Sequence, residues 1–144
     1  MSKEAGQQHT AVVVTHAALR NDATVNTAIN QLQHLGFSVI VRDDIPDTQY
    51  FGNHATPVSD DVEIVVVLGG DGTILRAAEL VKGTHVPIVG INTGHVGFLA
   101  EFESFELATA MEKIAQRDYT IEERMIAAVE LYLPGREEIL CDWA

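Results

Sequence analysis

A short apolar run that leads directly into a glycine-rich turn constrains the fold of this chain more than any other feature. Residues 64–68 are all aliphatic, and Gly69-Gly70-Asp71-Gly72 follows them. A fully apolar run bounded by turn residues is typical of a strand that is buried in a parallel sheet. The glycines let the backbone approach a ligand closely, because no Cβ stands in the way. We therefore predict a buried strand that ends at a ligand-binding turn.

The residues after this turn predict a helix over 73–81, since their apolar positions follow helical spacing. The turn would then lie at a helix N-terminus, where unpaired N–H groups and the helix dipole favour an anion such as phosphate. Asp71 gains nothing by facing phosphate, so a functional Asp71 would hold a metal ion or accept a hydroxyl proton. The alternative is structural, because an Asp in such a turn often only caps the backbone.

A second glycine-rich loop follows a second apolar strand. Residues 88–91 form the predicted strand, and residues 92–101 form the loop, which contains Gly94 and Gly97. The carboxyl ends of parallel strands meet at one edge of a sheet, and open α/β sheets bind their ligands there. We therefore expect both loops to flank one site.

Together, the two loops resemble the NAD kinases, which phosphorylate the 2'-hydroxyl of the adenosine ribose of NAD and so make NADP. The resemblance is carried by Gly69-Gly70-Asp71-Gly72-Thr73 with residues 74–78, and by residues 92–99. Diacylglycerol-type lipid kinases share the first motif, and phosphofructokinases share it loosely, whereas the second motif is specific. A lipid kinase and a non-catalytic nucleotide-binding or assembly module are the alternatives.

The resemblance implies roles for individual residues. Asp71 would accept the ribose proton, and Asp71, Gly72 and Arg76 would contact NAD. The phosphates of the co-substrate ATP would meet Gly69, Gly70, Gly72 and Thr73. Mg²⁺ is the expected divalent cation, and base and metal-ligand roles both stay open for Asp71. Ile74 stands where the family often has Phe, so an aromatic ring is missing there. The motifs are compatible with NAD or NADH as acceptor, and with ATP or polyphosphate as donor.

No dedicated metal site is expected from the histidines. They are scattered through the chain without metal-ligand spacing, at His9, His16, His34, His54, His85 and His95. His95 is the exception in position, because it lies in the second loop, where a structural role and a substrate contact are equally compatible with the sequence.

The predicted organisation is an α/β fold with an open, mostly parallel sheet and flanking helices, followed by a truncated β-rich domain. We expect a polar tail over 1–10, the nucleotide-binding domain over 11–119, and the start of the second domain over 120–144. The remaining predicted elements are strands 11–15 and 37–41, a helix over 21–35 ended by Gly36, a helix over 104–116 capped by Ser104, and an alternating strand over 127–133 before a turn at 134–136. Residues 42–61 predict a long loop that folds over the ligand edge.

NAD kinases carry an Asn-Glu pair in their second domain, and residues 141–144 resemble the approach to it. By this resemblance the chain is the front part of a NAD kinase and is inactive alone. In the complete enzyme, the family implies a homo-oligomer.

Charge and cysteine content limit the partners and the compartment. The net charge of −12 repels nucleic acid and anionic membranes, and it also repels ATP and NAD, so cations must come from elsewhere. Cys141 is the single cysteine, which excludes an intrachain disulfide and favours the reducing cytoplasm. No apolar run approaches the roughly 20 residues that a membrane helix needs.

Overall fold

The computed structural model describes residues 8–43, 57–94, 97–137 and 140–143. The strands of the main sheet are β1 (His9–Thr15), β2 (Phe37–Asp43), β3 (Ile64–Gly69), β4 (Ile88–Asn92) and β5 (Phe102–Glu103). The helices are α1 (Ala23–His34), α2 (Asp71–Val81) and α3 (Leu107–Gln116), and the hairpin strands are β6 (Ala128–Leu131) and β7 (Leu140–Trp143). The main sheet has the order β2-β1-β3-β4-β5, and each of its neighbouring pairs is parallel. The predicted α/β class is confirmed.

The central strands are aliphatic throughout because both faces of the sheet are covered. On one face, Val13 and Val66 pack with Leu32 of α1 and with α3. On the other face, the alternate residues of β1 and β3 pack with Ala77 of α2 and with Val58. Since successive side chains of a strand point to opposite faces, a strand between two helical layers must be apolar at every position.

The crossover pattern explains where the ligand edge lies. From β1 the chain passes through α1 to β2, which lies on one side of β1. From β3 it passes through α2 to β4, and both of these strands lie on the other side of β1. The sheet order therefore reverses between β1 and β3, and such a switch opens a crevice at the carboxyl edge. Gly69 is the register partner of Asn92, so the two glycine-rich loops leave neighbouring strands side by side, as predicted. Asp60 and Asp61 precede β3 and lie at the opposite edge.

Several element boundaries differ from the prediction. β1 begins at His9, inside the predicted tail, because His9 pairs with Phe37 of β2. The first helix begins later than predicted, since Asp22 is its N-cap and accepts a hydrogen bond from the Thr24 N–H at 2.7 Å. Gly36 ends this helix with φ of 95°, as expected. β2 continues to Asp43, and residues 44–56 of the predicted long loop lie outside the described residues.

The prediction that Ser104 caps the third helix is wrong. Ser104–Glu106 is a short 3₁₀ turn that precedes α3, and Glu103 is its N-cap. The Glu103 N–H donates to Oε2 of Glu106 at 2.9 Å, and the Glu103 carboxylate accepts a backbone N–H in return. This reciprocal pair is a capping box, which satisfies N–H groups that a serine hydroxyl would otherwise serve.

Strands β6 and β7 form an antiparallel hairpin, with Ala128 opposite Trp143. Pro134-Gly135-Arg136 makes the predicted turn, in which the Arg136 N–H donates to the Leu133 carbonyl at 3.2 Å. The alternating strand is shorter than predicted, and all of β6 is exposed. No helix in the described ranges has the length and apolar character that a membrane crossing requires.

Candidate active site

Asp71 is the first residue of α2, whereas the sequence predicted a helix that begins only at residue 73. Gly70 is the N-cap, has extended backbone angles (φ −100°, ψ −171°) and supplies no side-chain cap. The Ile74 N–H donates to the Gly70 carbonyl at 3.1 Å and closes the first helical turn. The carboxylate therefore sits on a rigid helix end, where the helix dipole favours negative charge.

The Asp71 carboxylate joins the two glycine-rich loops. Its Oδ1 accepts hydrogen bonds from the N–H groups of Phe98 and Leu99, both at 3.1 Å, and its Oδ2 lies 3.1 Å from the Phe98 nitrogen. A Cβ at Gly97 would stand 2.7 Å from Oδ1, so only glycine permits this approach. The structural alternative for Asp71 is thus realised in part, but its partner is the second loop rather than its own turn.

The glycines of the first motif serve two different purposes. Gly69 is buried, and a Cβ there would stand 2.8 Å from the hydroxyl oxygen of Thr73, which is itself 7% exposed. Gly69 therefore lets α2 pack closely on the end of β3. Gly70 and Gly72 are exposed, and a Cβ on either would meet nothing within 4 Å. These two glycines present open backbone at the ligand edge.

The second loop is anchored where it leaves β4. The Asn92 side chain is buried, donates to Oε2 of Glu103 at 3.1 Å and accepts the Gly94 N–H at 3.2 Å. The Thr93 N–H reaches the Gly69 carbonyl at 3.4 Å, so this loop also contacts the end of β3. His95 lies outside the described residues.

Ile74 faces the sheet rather than the ligand edge. It packs with the core under α2, and a Cβ at Gly90 would stand 2.6 Å from its Cδ1 atom. Gly90 thus leaves room on β4 for the Ile74 side chain. The presence of isoleucine instead of an aromatic residue at this position therefore affects how α2 packs on the sheet.

Arg76 lies in the second turn of α2 and is half-buried. It is about 140° around the helix from Asp71, at 100° per residue. Because the Cα–Cβ bonds of a helix tilt toward its N-terminus, the Arg76 side chain leaves the backbone in the direction of the ligand edge. Lys82, the other basic residue nearby, is exposed at the far end of α2.

Phe98 belongs to the second glycine-rich motif, but the sequence alone predicted no individual role for it. Its backbone holds Asp71, and its side chain is 93% exposed. An aromatic ring in a glycine-rich loop is the sequence signal that could have identified it, since a large exposed aromatic side chain is typical of a binding surface. Among the described residues, no group of three or more His, Cys, Asp or Glu side chains could hold a metal ion.

Known proteins similar to this chain are NAD kinases. Residues 7–119 match the model of the ATP-NAD kinase N-terminal domain. The NAD kinase of Bifidobacterium longum subsp. infantis is 58% identical over 137 residues, which cover 93% of this chain and 40% of that protein. The NAD kinase of Corynebacterium glutamicum is 50% identical over 91 residues, which cover 63% of this chain and 31% of that protein.

The fold is also similar to that of a solved structure, yeast NADH kinase in complex with NADH. The TM-score is 0.65 at 17% sequence identity, and the match covers 96% of this chain and 47% of that one. The chain thus spans about two fifths of the length of its Bifidobacterium relative. With the family model matched over most of its residues, this chain belongs to the NAD kinase family.

Proposed function

We propose that this chain forms the phosphate-transfer part of a NAD kinase, which moves the γ-phosphate of ATP to the 2'-hydroxyl of the adenosine ribose of NAD. One observation carries the proposal. The Asp71 carboxylate lies where two glycine-rich loops meet, and the backbone N–H groups of Phe98 and Leu99 orient it. An oriented carboxylate at the meeting point of these loops, in a member of the NAD kinase family, suits the removal of a hydroxyl proton.

Asp71 would accept that proton through Oδ2. Within the part of the chain that the structure describes, Oδ1 accepts the N–H groups of both Phe98 and Leu99, whereas Oδ2 accepts that of Phe98 alone, which favours Oδ2 as the atom that meets the ribose hydroxyl. As the proton passes to Oδ2, the ribose oxygen bonds to the γ-phosphorus, the bond to the β-phosphate oxygen breaks, and ADP leaves with NADP as the other product. Such base assistance is worth about 10²- to 10⁴-fold, or about 3 to 5 kcal/mol.

The phosphates of ATP would lie on the exposed backbone of Gly70 and Gly72, at the N-terminus of α2. Gly70 supplies no side-chain cap, so the N–H groups at the very start of α2, those of Asp71 and Gly72, suit an anion. Gly69 and Thr73 are buried, so we propose that they support this backbone and that any phosphate contact of theirs is made by the main chain.

A divalent cation fits the site only if it arrives with the nucleotide. Mg²⁺ commonly takes one or two carboxylates together with phosphate oxygens and water, and Asp71 is the carboxylate available in the turn. When bound, Mg²⁺ supplies neutralisation of charge on the transferred phosphoryl group. This contribution matters in a chain with a net charge of −12.

NAD would contact Asp71, Gly72 and Arg76, and we add Phe98 as a surface for an aromatic base. Phe98 is exposed, and its backbone N–H contacts the carboxylate that would meet the ribose. Stacking on such a ring is favourable for an aromatic ligand. We further propose that the complete protein is a cytoplasmic homo-oligomer whose second domain completes this pocket.

The test uses the complete protein that contains this chain, purified and supplied with NAD, ATP and Mg²⁺. We expect NADP formation that Asp71→Asn reduces at least tenfold, which is a cautious threshold beside the usual base assistance of about 10²- to 10⁴-fold. The exposed Glu112→Gln on α3 is the control for the loss of one negative charge. Absence of NADP, or phosphorylation of diacylglycerol instead, would contradict the proposal.

A further inference from the structure

The base of the second loop is closed by one carboxylate, that of Glu101. Its Oε2 accepts the Gly90 N–H at 2.7 Å, and its own N–H donates to the Gly90 carbonyl at 3.1 Å. One residue of β4 is thus held at both of its backbone polar groups by one residue at the end of the loop. We call this two-point contact between Glu101 and Gly90 the closure of the loop.

Gly90 needs such a partner because the pairing of β4 with β5 has not yet begun at this residue. On one side β4 pairs with β3, where Gly90 is opposite Val67, and on the other side β5 begins only with Phe102 opposite Ile91. The Glu101 backbone provides one strand-like hydrogen bond, and its carboxylate takes the place of the missing carbonyl.

The closure leaves little freedom at the end of the loop. A Cβ at Gly90 would stand 3.2 Å from the Cα of Ala100, so the backbone before Glu101 lies directly against β4. Leu99, whose N–H holds Asp71, is only two residues before Glu101. The position of the Asp71 donors therefore depends on where Glu101 is fastened.

A second carboxylate supports the other end of the same closure. Glu103 accepts the Asn92 amide at 3.1 Å and pairs with Asn92 in the β4–β5 register. Glu103 is also held in the capping box before α3, so its place is set by structure that lies outside the loop. The capping box is formed by Glu103 and Glu106, whereas the Glu101 carboxylate accepts the Gly90 N–H of β4.

We propose that Glu101 is a positioning residue for the phosphate transfer, because it closes the loop and so sets the N–H groups of Phe98 and Leu99 against Asp71. The proposal rests on the proposed function for its kinetic consequence, but not for its structural one. The side chain acts only as an acceptor, so Glu101→Gln, whose amide oxygen also accepts, should keep the closure, while Glu101→Ala should lose it.

Amide hydrogen exchange on the complete protein that contains this chain tests the structural part. In Glu101→Ala we expect the N–H groups of Phe98 and Leu99 to exchange about tenfold faster than in the original chain, as local opening increases. The Leu32 N–H in the core of α1 should not change, and Glu101→Gln and the control Glu112→Ala should exchange as the original chain does. Unchanged exchange at Phe98 and Leu99, or equal acceleration at Leu32, would overturn the proposal.

Kinetics of the complete protein test the functional part. Glu101→Ala should lower kcat about tenfold and leave KM for ATP within about twofold, since small misplacement of a catalytic group costs rate. Glu101→Gln should restore kcat. A raised KM for ATP with an unchanged kcat would overturn the positioning role. Absence of NADP formation in the original protein would refute the proposed function, and the exchange result alone would then test the closure.

Should Glu101→Ala fail to fold, Glu101→Asp replaces it. The shorter carboxylate keeps the charge but withdraws its oxygens by one methylene from the Gly90 N–H. Faster exchange at Phe98 and Leu99 in Glu101→Asp than in Glu101→Gln supports the closure, and equal exchange in the two variants contradicts it.

Discussion

Gly97 lies directly against the carboxylate of Asp71, and a Cβ at Gly97 would stand 2.7 Å from Oδ1 and 3.3 Å from Cγ. The two residues belong to different loops, which leave neighbouring strands of the sheet. This close approach allows the next two N–H groups along the chain, those of Phe98 and Leu99, to reach the carboxylate. The geometry of the proposed base therefore depends on the second loop as much as on its own helix.

Gly97→Ala should displace the second loop from Asp71, because the added methyl group overlaps the carboxylate. In the complete protein we expect kcat for NADP formation to fall by about tenfold or more, as a misplaced catalytic group costs rate. Amide exchange at Phe98 and Leu99 should rise in the same variant. Gly94→Ala is the packing control for exchange, since a Cβ there meets nothing within 4 Å. Normal exchange at both amides in Gly97→Ala would show that the loop tolerates the methyl group.

Asp71→Asn should remove most NAD phosphorylation, leaving less than about a tenth of the original kcat. The amide can still accept one N–H through its oxygen, but its NH₂ group cannot accept the Phe98 or Leu99 N–H. The variant therefore tests chemistry and loop anchoring together. Comparison with Gly97→Ala separates them, since that variant retains the base. Retention of more than about a tenth of kcat in Asp71→Asn would exclude the general-base role.

Arg76→Ala should weaken NAD binding more than it lowers the maximal rate. Arg76 is half-buried on α2, and its Cα–Cβ bond tilts toward the helix end that carries Asp71, as in any α-helix. We expect KM for NAD to rise about tenfold with kcat changed less than threefold, as for lost ground-state binding. Lys82→Ala at the far end of α2 controls for the loss of one positive charge. A KM for NAD equal to that of the original protein would leave Arg76 as an ordinary helix residue.

The 144-residue chain alone should make no measurable NADP and should self-associate. All of β6 is exposed, including Val129 at 48% and Leu131 at 44%, and an exposed apolar strand surface favours association. A sizing column and an NADP assay of the same preparation check both expectations. Replacing Val129 and Leu131 by Ser should shift the elution toward the monomer without restoring activity. An active monomer of the original chain would show that the described residues already form the whole site.

Stability above neutral pH should depend on Tyr119. Burial raises the pKa of the Tyr119 phenol, the nearby Glu63 carboxylate raises it further, and Arg117 lowers it. The folded state therefore holds the phenolic proton more tightly than the unfolded chain does, so the stabilisation is present below about pH 10 and is lost as pH rises through the folded-state value. Urea unfolding across this range should show a smaller loss in Tyr119→Phe. An identical pH dependence in the two proteins would contradict this assignment.

Local sequence signals predicted the parallel sheet well. The aliphatic residues 64–68 predicted a buried strand because burial on both faces excludes polar side chains at every position, and Ile64–Gly69 is that strand. The two glycine-rich loops were expected at one edge because they follow parallel strands, and the pairing of Gly69 with Asn92 confirms it. The helix starts were predicted less accurately. Other polar residues next to Asp22 and Glu103 could also serve as N-caps, and local sequence does not decide between them.

The sequence by itself thus determined the fold class, the family resemblance and the choice of Asp71 as the central residue. Buried strands and glycine turns depend on residues that are adjacent in sequence, so a local pattern is enough to predict them. Tertiary structure decided what Asp71 touches. Its partner Phe98 is 27 positions away in sequence, and Glu101 meets Gly90 across 11 positions. Such contacts arise only when packing brings two strands side by side, and their distances depend on side-chain volumes, such as those of Ile74 and Gly90, that no local pattern encodes.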